Sequence, residues 1–211
     1  MATRDTLTVA DVEAARLTDW RWLLGSLHAR FATGDFTTGL ALVTRIGALA
    51  EEADHHPDVE LAYPHVAVRL VSHDLSGVTS RDVELARRIS DAARELGVAA
   101  EPSRLSVLEI GLDTADEEAI KPFWRAVLGA EESGPDGDLP MLWFQKTDPH
   151  QEPRQRFHLD ITVPPEVARH RIDAALAAGG RLVSDDRAPA FTVLADAEGN
   201  KACICTAHGR D

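Results

Sequence analysis

Residues 51–82 read EEADHHPDVELAYPHVAVRLVSHDLSGVTSRD, from Glu51 to Asp82. Four of the nine histidines fall in this stretch, His55, His56, His65 and His73, and carboxylates at Glu51, Glu52, Asp54 and Asp74 surround three of them. A His-His pair followed by proline, with a third histidine one strand and one turn further on, is not a pattern that packing requires. Histidine holds either protonation state near neutral pH. The stretch therefore reads as a candidate active site.

Upstream, Phe36, Leu40, Val43, Ile46, Leu49, Ala50 and Ala53 recur at three- and four-residue steps, which predicts an amphipathic helix over residues 36–55. Asp35 can cap its start. Pro57 disfavours helical geometry at His56, so the helix is expected to end at the histidine pair. Glu51 stands one turn before His55 and Glu52 one turn before His56, a spacing at which carboxylates can pair with the rings. After Pro57 the period changes to two. Val59–Tyr63 and Val66–His73 read as strands broken at Pro64, with Val66, Val68 and Leu70 on one face and His73 at the far end. Thr79 and Asp82 form a capping-box pattern for a second helix that stops at Gly97.

These residues carry a resemblance. E-x-x-D-H-H-P, then Tyr63, His73, G-V-T and Asp82, preceded by R-F-x-x-G-D-F, is similar to the signature of the pterin-4a-carbinolamine dehydratases over residues 20–97. The resemblance implies an α+β fold with a four-stranded antiparallel sheet packed against helices. It implies loss of water from a 4a-hydroxytetrahydropterin to give the quinonoid dihydropterin, a hydro-lyase reaction. By the family's pattern His55, His56 and His73 are the catalytic histidines, and Glu51, Asp54 and Asp82 are supporting positions around the substrate. It also implies a homo-oligomer, most simply a dimer. The chemistry suits three histidines, because one proton must reach the leaving hydroxyl and another must leave a ring nitrogen. No metal or other cofactor is needed. The competing readings of the same cluster are structural histidines satisfied by nearby carboxylates, and a zinc site built from the histidines and Glu51.

Composition sets the outer bounds. The chain has 211 residues and a net charge of −13. Residues 1–98 hold 10 basic against 15 acidic side chains and residues 99–211 hold 12 against 20, so neither half carries a nucleic-acid footprint. No apolar run approaches the roughly 20 residues of a membrane span, and residues 1–20 lack the pattern of a signal peptide. The expectation is a cytoplasmic protein acting on a small pterin. Residues 8–18 read as a short helix and Trp20–Ala32 as a hairpin around Gly25. Trp20 and Trp22 read as core residues rather than a ring-stacking wall. His65, His28, His150, His170 and His208 read as surface residues.

Val98–Arg104 (VAAEPSR) reads as a linker, which divides the chain into a dehydratase-like domain at 1–98, a linker at 99–104 and a second domain at 105–211. The second domain holds a weak repeat. LEIGLD (Leu108–Asp113) aligns with FHLDIT (Phe157–Thr162), and each is followed by a helical pattern ending in glycine, at Gly129 and Gly179. Further strands are predicted at Leu139–Gln145, Arg181–Ser184, Phe191–Leu194 and Ala202–Thr206, with a loop at Lys146–Gln155. FWRAVLG, RFHLDITV and VLADAEGNKACIC resemble the glyoxalase/bleomycin-resistance (vicinal oxygen chelate) superfamily, in its glyoxalase-like branch. That resemblance implies paired βαβββ modules around a cleft, and in the metal-dependent members a divalent metal held by four inward-facing side chains. Glu109 and His158 fall at two of those positions, while Cys203 stands where glutamate is usual. The reading is of polar cleft residues with no catalytic metal. Cys203 and Cys205, two apart on a strand, read as core-facing thiols that do not bridge. Two alternatives stay open. One is a metal-dependent lyase or dioxygenase in the second domain with an inactive first domain. The other is a non-enzymatic binding and dimerisation protein.

Overall fold

Trp20–Leu23 (β1) and Ser26–Ala32 (β2) form the hairpin expected around Gly25, joined by a two-residue turn in which Leu24 and Gly25 both have positive φ, 47° and 76°. That is the backbone of the turn type whose twist matches paired strands. The computed structural model describes residues 5–121, 140–149, 157–195, 199 and 201–209. The chain forms two units, Met1–Leu105 and Ser106–Asp211.

In the first unit, a short helix α1 (Val9–Ala14) is closed by a Thr8–Asp11 capping box. Helix α2 (Phe36–Ala53) starts at Asp35, whose side chain accepts from Thr38 N at 2.7 Å. Strands β3 (Asp58–Ala62) and β4 (His65–Leu70) follow, turning at Tyr63 and Pro64, and helix α3 (Ser80–Glu95) comes next. The sheet runs β1-β2-β4-β3, all antiparallel, and a two-residue strand β5 (Ala99–Ala100) also pairs with β2. The period-two reading of β4 decides its packing. Val66, Val68 and Leu70 are buried with Leu27, Ala29 and Phe31 against Leu42 and Ile46 of α2 and Leu85, Ala86 and Ile89 of α3. Trp20 belongs to the same core, edge-on to Phe31 at 6.2 Å and donating from Nε1 to Ser90 Oγ at 3.0 Å.

Two expectations need correction. The segment read as a linker is built into the first sheet: Ala99 and Ala100 pair with Ala32 and Phe31, and Glu101 N donates to Arg30 O at 2.7 Å. Backbone groups after the Gly97 stop find strand partners, which sequence composition does not reveal. His28 and His65 are half-buried rather than on the surface.

His28 sits on the sheet face away from the helices, between Arg21 on β1 and Arg69 on β4, with Asp58 beyond Arg69. Burial first, and the Arg69 charge second, push its pKa down to about 4; a hydrogen bond at Leu23 and the Asp58 charge oppose them. Folded His28 is therefore neutral where an unfolded histidine, near 6.5, already takes a proton. Its contribution is complete above about pH 6.5 and is lost as pH falls towards about 4. Between about pH 7 and about pH 5 the first unit should lose on the order of 1–2 kcal/mol from this group. Denaturant unfolding of the wild type and His28→Gln at the two pH values checks this, and equal losses in both would remove His28 as the cause.

The second unit holds β6 (Val107–Thr114), β7 (Met141–Lys146), β8 (Phe157–Thr162), α4 (Pro165–Ala177), β9 (Arg181–Ser184), β10 (Phe191–Ala195) and β11 (Lys201–Cys205). Its sheet order is β7-β6-β8-β11-β10-β9. β8, α4 and β9–β11 make one complete βαβββ module, and β6 and β7 are the described strands of the other. FWRAVLG (residues 123–129), His150, residues 151–155 and most of the D-x-E-G-N turn lie outside the described residues. Helix α4 lays Val167, Ala168, Ile172, Ala175 and Leu176 on Ile161, Val163, Leu194 and Ile204. The opposite face carries Glu109, Gly111 and Asp113 of β6, His158 and Asp160 of β8, and Cys203 and Cys205 of β11. Both cysteines are buried. No described helix is long and apolar enough to cross a membrane.

Candidate functional site

Helix α2 ends at Asp54, which adopts the left-handed conformation with φ 47°, and His55 N then donates to Ala50 O at 3.1 Å. That turn takes His55 and His56 out of the helical register. The one-turn pairing expected from spacing therefore does not form. His55 is 8% exposed and its Nε2 donates to Asp82 Oδ1 at 2.7 Å. His56 is exposed and its Nε2 lies 3.0 Å from Glu51 Oε1. Glu52 turns instead to Arg88 of α3.

Asp82 is fully buried at 0% exposure and is the centre of the arrangement. Its Oδ2 accepts from Ser72 Oγ at 2.7 Å, Thr79 N at 2.7 Å and Thr79 Oγ1 at 3.0 Å, while Oδ1 accepts from His55. The capping box read from Thr79 and Asp82 is present. The same carboxylate reaches beyond the helix start to Ser72, which sequence reading did not single out. Nothing in the period of β4 distinguishes that serine from any strand-end residue. Ser72 also closes a tight loop by backbone pairing with Gly77 at 3.0 and 3.4 Å. His73 opens the short turn inside that loop, His73–Leu75, and is exposed. It stands in this turn rather than at a strand end, because β4 stops at Leu70. Asp74 in the turn accepts from Arg81 Nη2 at 2.5 Å, which fastens the loop to the first turn of α3.

One carboxylate thus holds the ring of His55 and the residue next to His73. Asp82 engages the ring of His55 at Nε2 and leaves Nδ1 as the ring nitrogen it does not touch. The exposed Glu51–His56 pair contributes little to stability, about 0–1 kcal/mol. Asp54 is exposed and serves as the backbone cap of α2. Among the described residues of the first unit, no three histidine, cysteine or carboxylate donor atoms converge on one point.

In the second unit Glu109 is 4% exposed and stands opposite Asp160, and His158 stands opposite Gly111. Cys203 also stands opposite Asp160, from the other side of β8. The cleft positions read from the sequence share one face, together with an aspartate that the reading did not name.

Comparison with known proteins matches both units. A family model described as Pterin 4 alpha carbinolamine dehydratase matches residues 5–92, and one described as Glyoxalase-like domain matches residues 109–205. A protein of Thermosynechococcus vestitus, named as a candidate pterin-4-alpha-carbinolamine dehydratase, is 39% identical over 89 residues, 41% of this chain and 94% of that one. One of the same name from Aquifex aeolicus is 33% identical over 84 residues, 40% of this chain and 85% of that one. A crystal structure described as a transcriptional coactivator/pterin dehydratase from Brucella melitensis is 30% identical, covering 42% of this chain and 99% of that one, with a TM-score of 0.41. The chain belongs to the pterin-4a-carbinolamine dehydratase family, a family of hydro-lyases, and carries a glyoxalase-like domain behind its dehydratase domain.

Proposed function

We propose that the first unit removes water from a 4a-hydroxytetrahydropterin to give the quinonoid dihydropterin. His55, His56 and His73 are its catalytic histidines, and Glu51, Asp54 and Asp82 are supporting polar positions. The observation that carries this reading is the buried Asp82 junction, which holds the His55 ring at 2.7 Å and anchors Ser72, the neighbour of His73, at 2.7 Å. A buried carboxylate tied to two separate histidine corners is more than a helix cap requires.

In the reaction the C4a–O bond breaks, the proton on N5 is removed, and a C4a=N5 double bond forms. The departing hydroxyl takes a proton and leaves as water. His55, engaged by Asp82 at Nε2, is suited to accept the N5 proton at Nδ1. Exposed His73 is suited to protonate the hydroxyl, and His56, beside Glu51, to orient the pterin. The same proposal includes a homodimer working in the cytoplasm, for which sedimentation at twice the chain mass is the check.

Dehydration of enzymatically generated 4a-hydroxytetrahydropterin tests the reading. The wild type should exceed the spontaneous rate, and kcat/KM should titrate between about pH 5.5 and about pH 8. A rate equal to the spontaneous reaction removes the proposal. A flat pH profile removes imidazole catalysis.

A further inference from the structure

We infer that the second unit binds a zinc-class divalent cation through His158, Asp160 and Cys203, with one coordination position left open. The donor atoms of these three residues lie within 4.8 Å of one another. His158 and Asp160 are two apart on β8 and so face the same way, and Cys203 is the direct partner of Asp160 on β11. His158 Nε2 and Asp160 Oδ1 are 3.7 Å apart, beyond hydrogen-bond reach. Two donors held at zinc-ligand distances in a tetrahedron stand about 3.4 Å apart, so an ion could bridge these two atoms with little movement.

The surroundings point the same way. Asp160 is 5% exposed, yet its Oδ1 accepts no hydrogen bond. A buried carboxylate oxygen without a donor is costly, and a bound cation supplies what is missing. The buried Glu109 carboxylate directly opposite increases that need, since like charges at opposed strand positions destabilise a sheet. The His158 ring has a prepared seat. A Cβ on Gly111 would lie 2.4 Å from it, and Trp143 packs edge-on to the ring at 5.4 Å. Asp113 Oδ1 lies 3.6 Å from Nδ1, where an outer carboxylate orients a metal-bound imidazole.

The donor chemistry selects the ion. One nitrogen, one oxygen and one thiolate suit zinc, whereas magnesium, calcium and manganese favour oxygen. Three protein donors plus an open position is the arrangement in which zinc can take a water or a substrate oxygen. The sequence expectation of no metal rested on the absence of an oxygen-rich set. The structure replaces that set with Asp160, a residue outside the positions to which the resemblance points, and with the Cys203 thiol.

Titration of the metal-stripped full chain with cobalt(II) tests the site without reference to turnover. One equivalent should produce a thiolate-to-cobalt charge-transfer band, and zinc should bleach it. Cys203→Ser should abolish the band. Cys205→Ser, one pleat along the same face, should keep it. Asp113→Asn should weaken binding roughly 10–100-fold. No thiolate band in the wild type at saturating cobalt, or a band that survives in Cys203→Ser, overturns the inference. The wild-type titration decides the case even if a variant fails to fold. None of these readouts involves the pterin reaction.

Discussion

Asp82→Ala should destabilise the first unit by about 3–5 kcal/mol. Four donors, from His55, Ser72 and twice from Thr79, converge on a carboxylate with no solvent exposure. Truncation removes the shared acceptor from all four of these donors at once. A buried donor left without its acceptor keeps its full desolvation penalty, about 1–3 kcal/mol per group before relaxation. For a unit of this size the loss corresponds to a fall in Tm of more than about 12 °C. Asp82→Asn should be intermediate, because its oxygen can still accept on one side while its amide faces donors on the other. The two units need not unfold together, so the measurement should follow α3 amides by hydrogen exchange rather than total unfolding. Protection of α3 in Asp82→Ala within about 1 kcal/mol of wild type would show that the junction adds no net stability.

The second large effect concerns turnover. His73→Ala should slow dehydration roughly 100–10,000-fold, the usual range for loss of a general acid or base. Because His73 is exposed, stability should stay within about 0.5 kcal/mol. His55→Ala should slow the reaction by a similar factor and also destabilise the unit, since it leaves Asp82 Oδ1 buried without its partner. The pair of variants therefore separates chemistry from folding. A His73→Ala enzyme with near wild-type kcat would move the acid role to another group and leave His73 as a surface residue. Activity lost only in His55→Ala, in step with lost structure, would reduce the histidine cluster to packing.

The features that followed from local rules were legible in the sequence. Asp35 and Thr79 cap helices, Gly25 turns the first hairpin, and Val66, Val68 and Leu70 face the core, because each depends on neighbours within a few residues. The partners of the site histidines were not legible. The i to i+4 rule assigned Glu51 to His55, but it applies only inside a helix, and the left-handed turn at Asp54 ends the helix one residue too early. The contact that forms, His55 to Asp82, spans 27 positions and requires α2 and α3 to be packed side by side. The Ser72 contribution depends on the same tertiary placement. In the second unit, Asp160 was overlooked because alternation alone says that it shares a face with His158 but not what stands on the two flanking strands. Only the pairing with Glu109 and Cys203 reveals its surroundings.

The Asp82 junction also bears on how this domain can decay under mutation. Its carboxylate is at once a helix cap, a core acceptor and the support of the His55 ring, so a substitution there is exposed to selection on foldedness even in a lineage that no longer needs the proposed reaction. His73 and His56 have no such protection. A descendant released from its biochemical duty should lose the exposed histidines first, while Asp82 and His55 persist as the frame around an idle site. Among diverged copies, retention of the buried pair is thus weak testimony to a working enzyme, and retention of His73 is strong testimony.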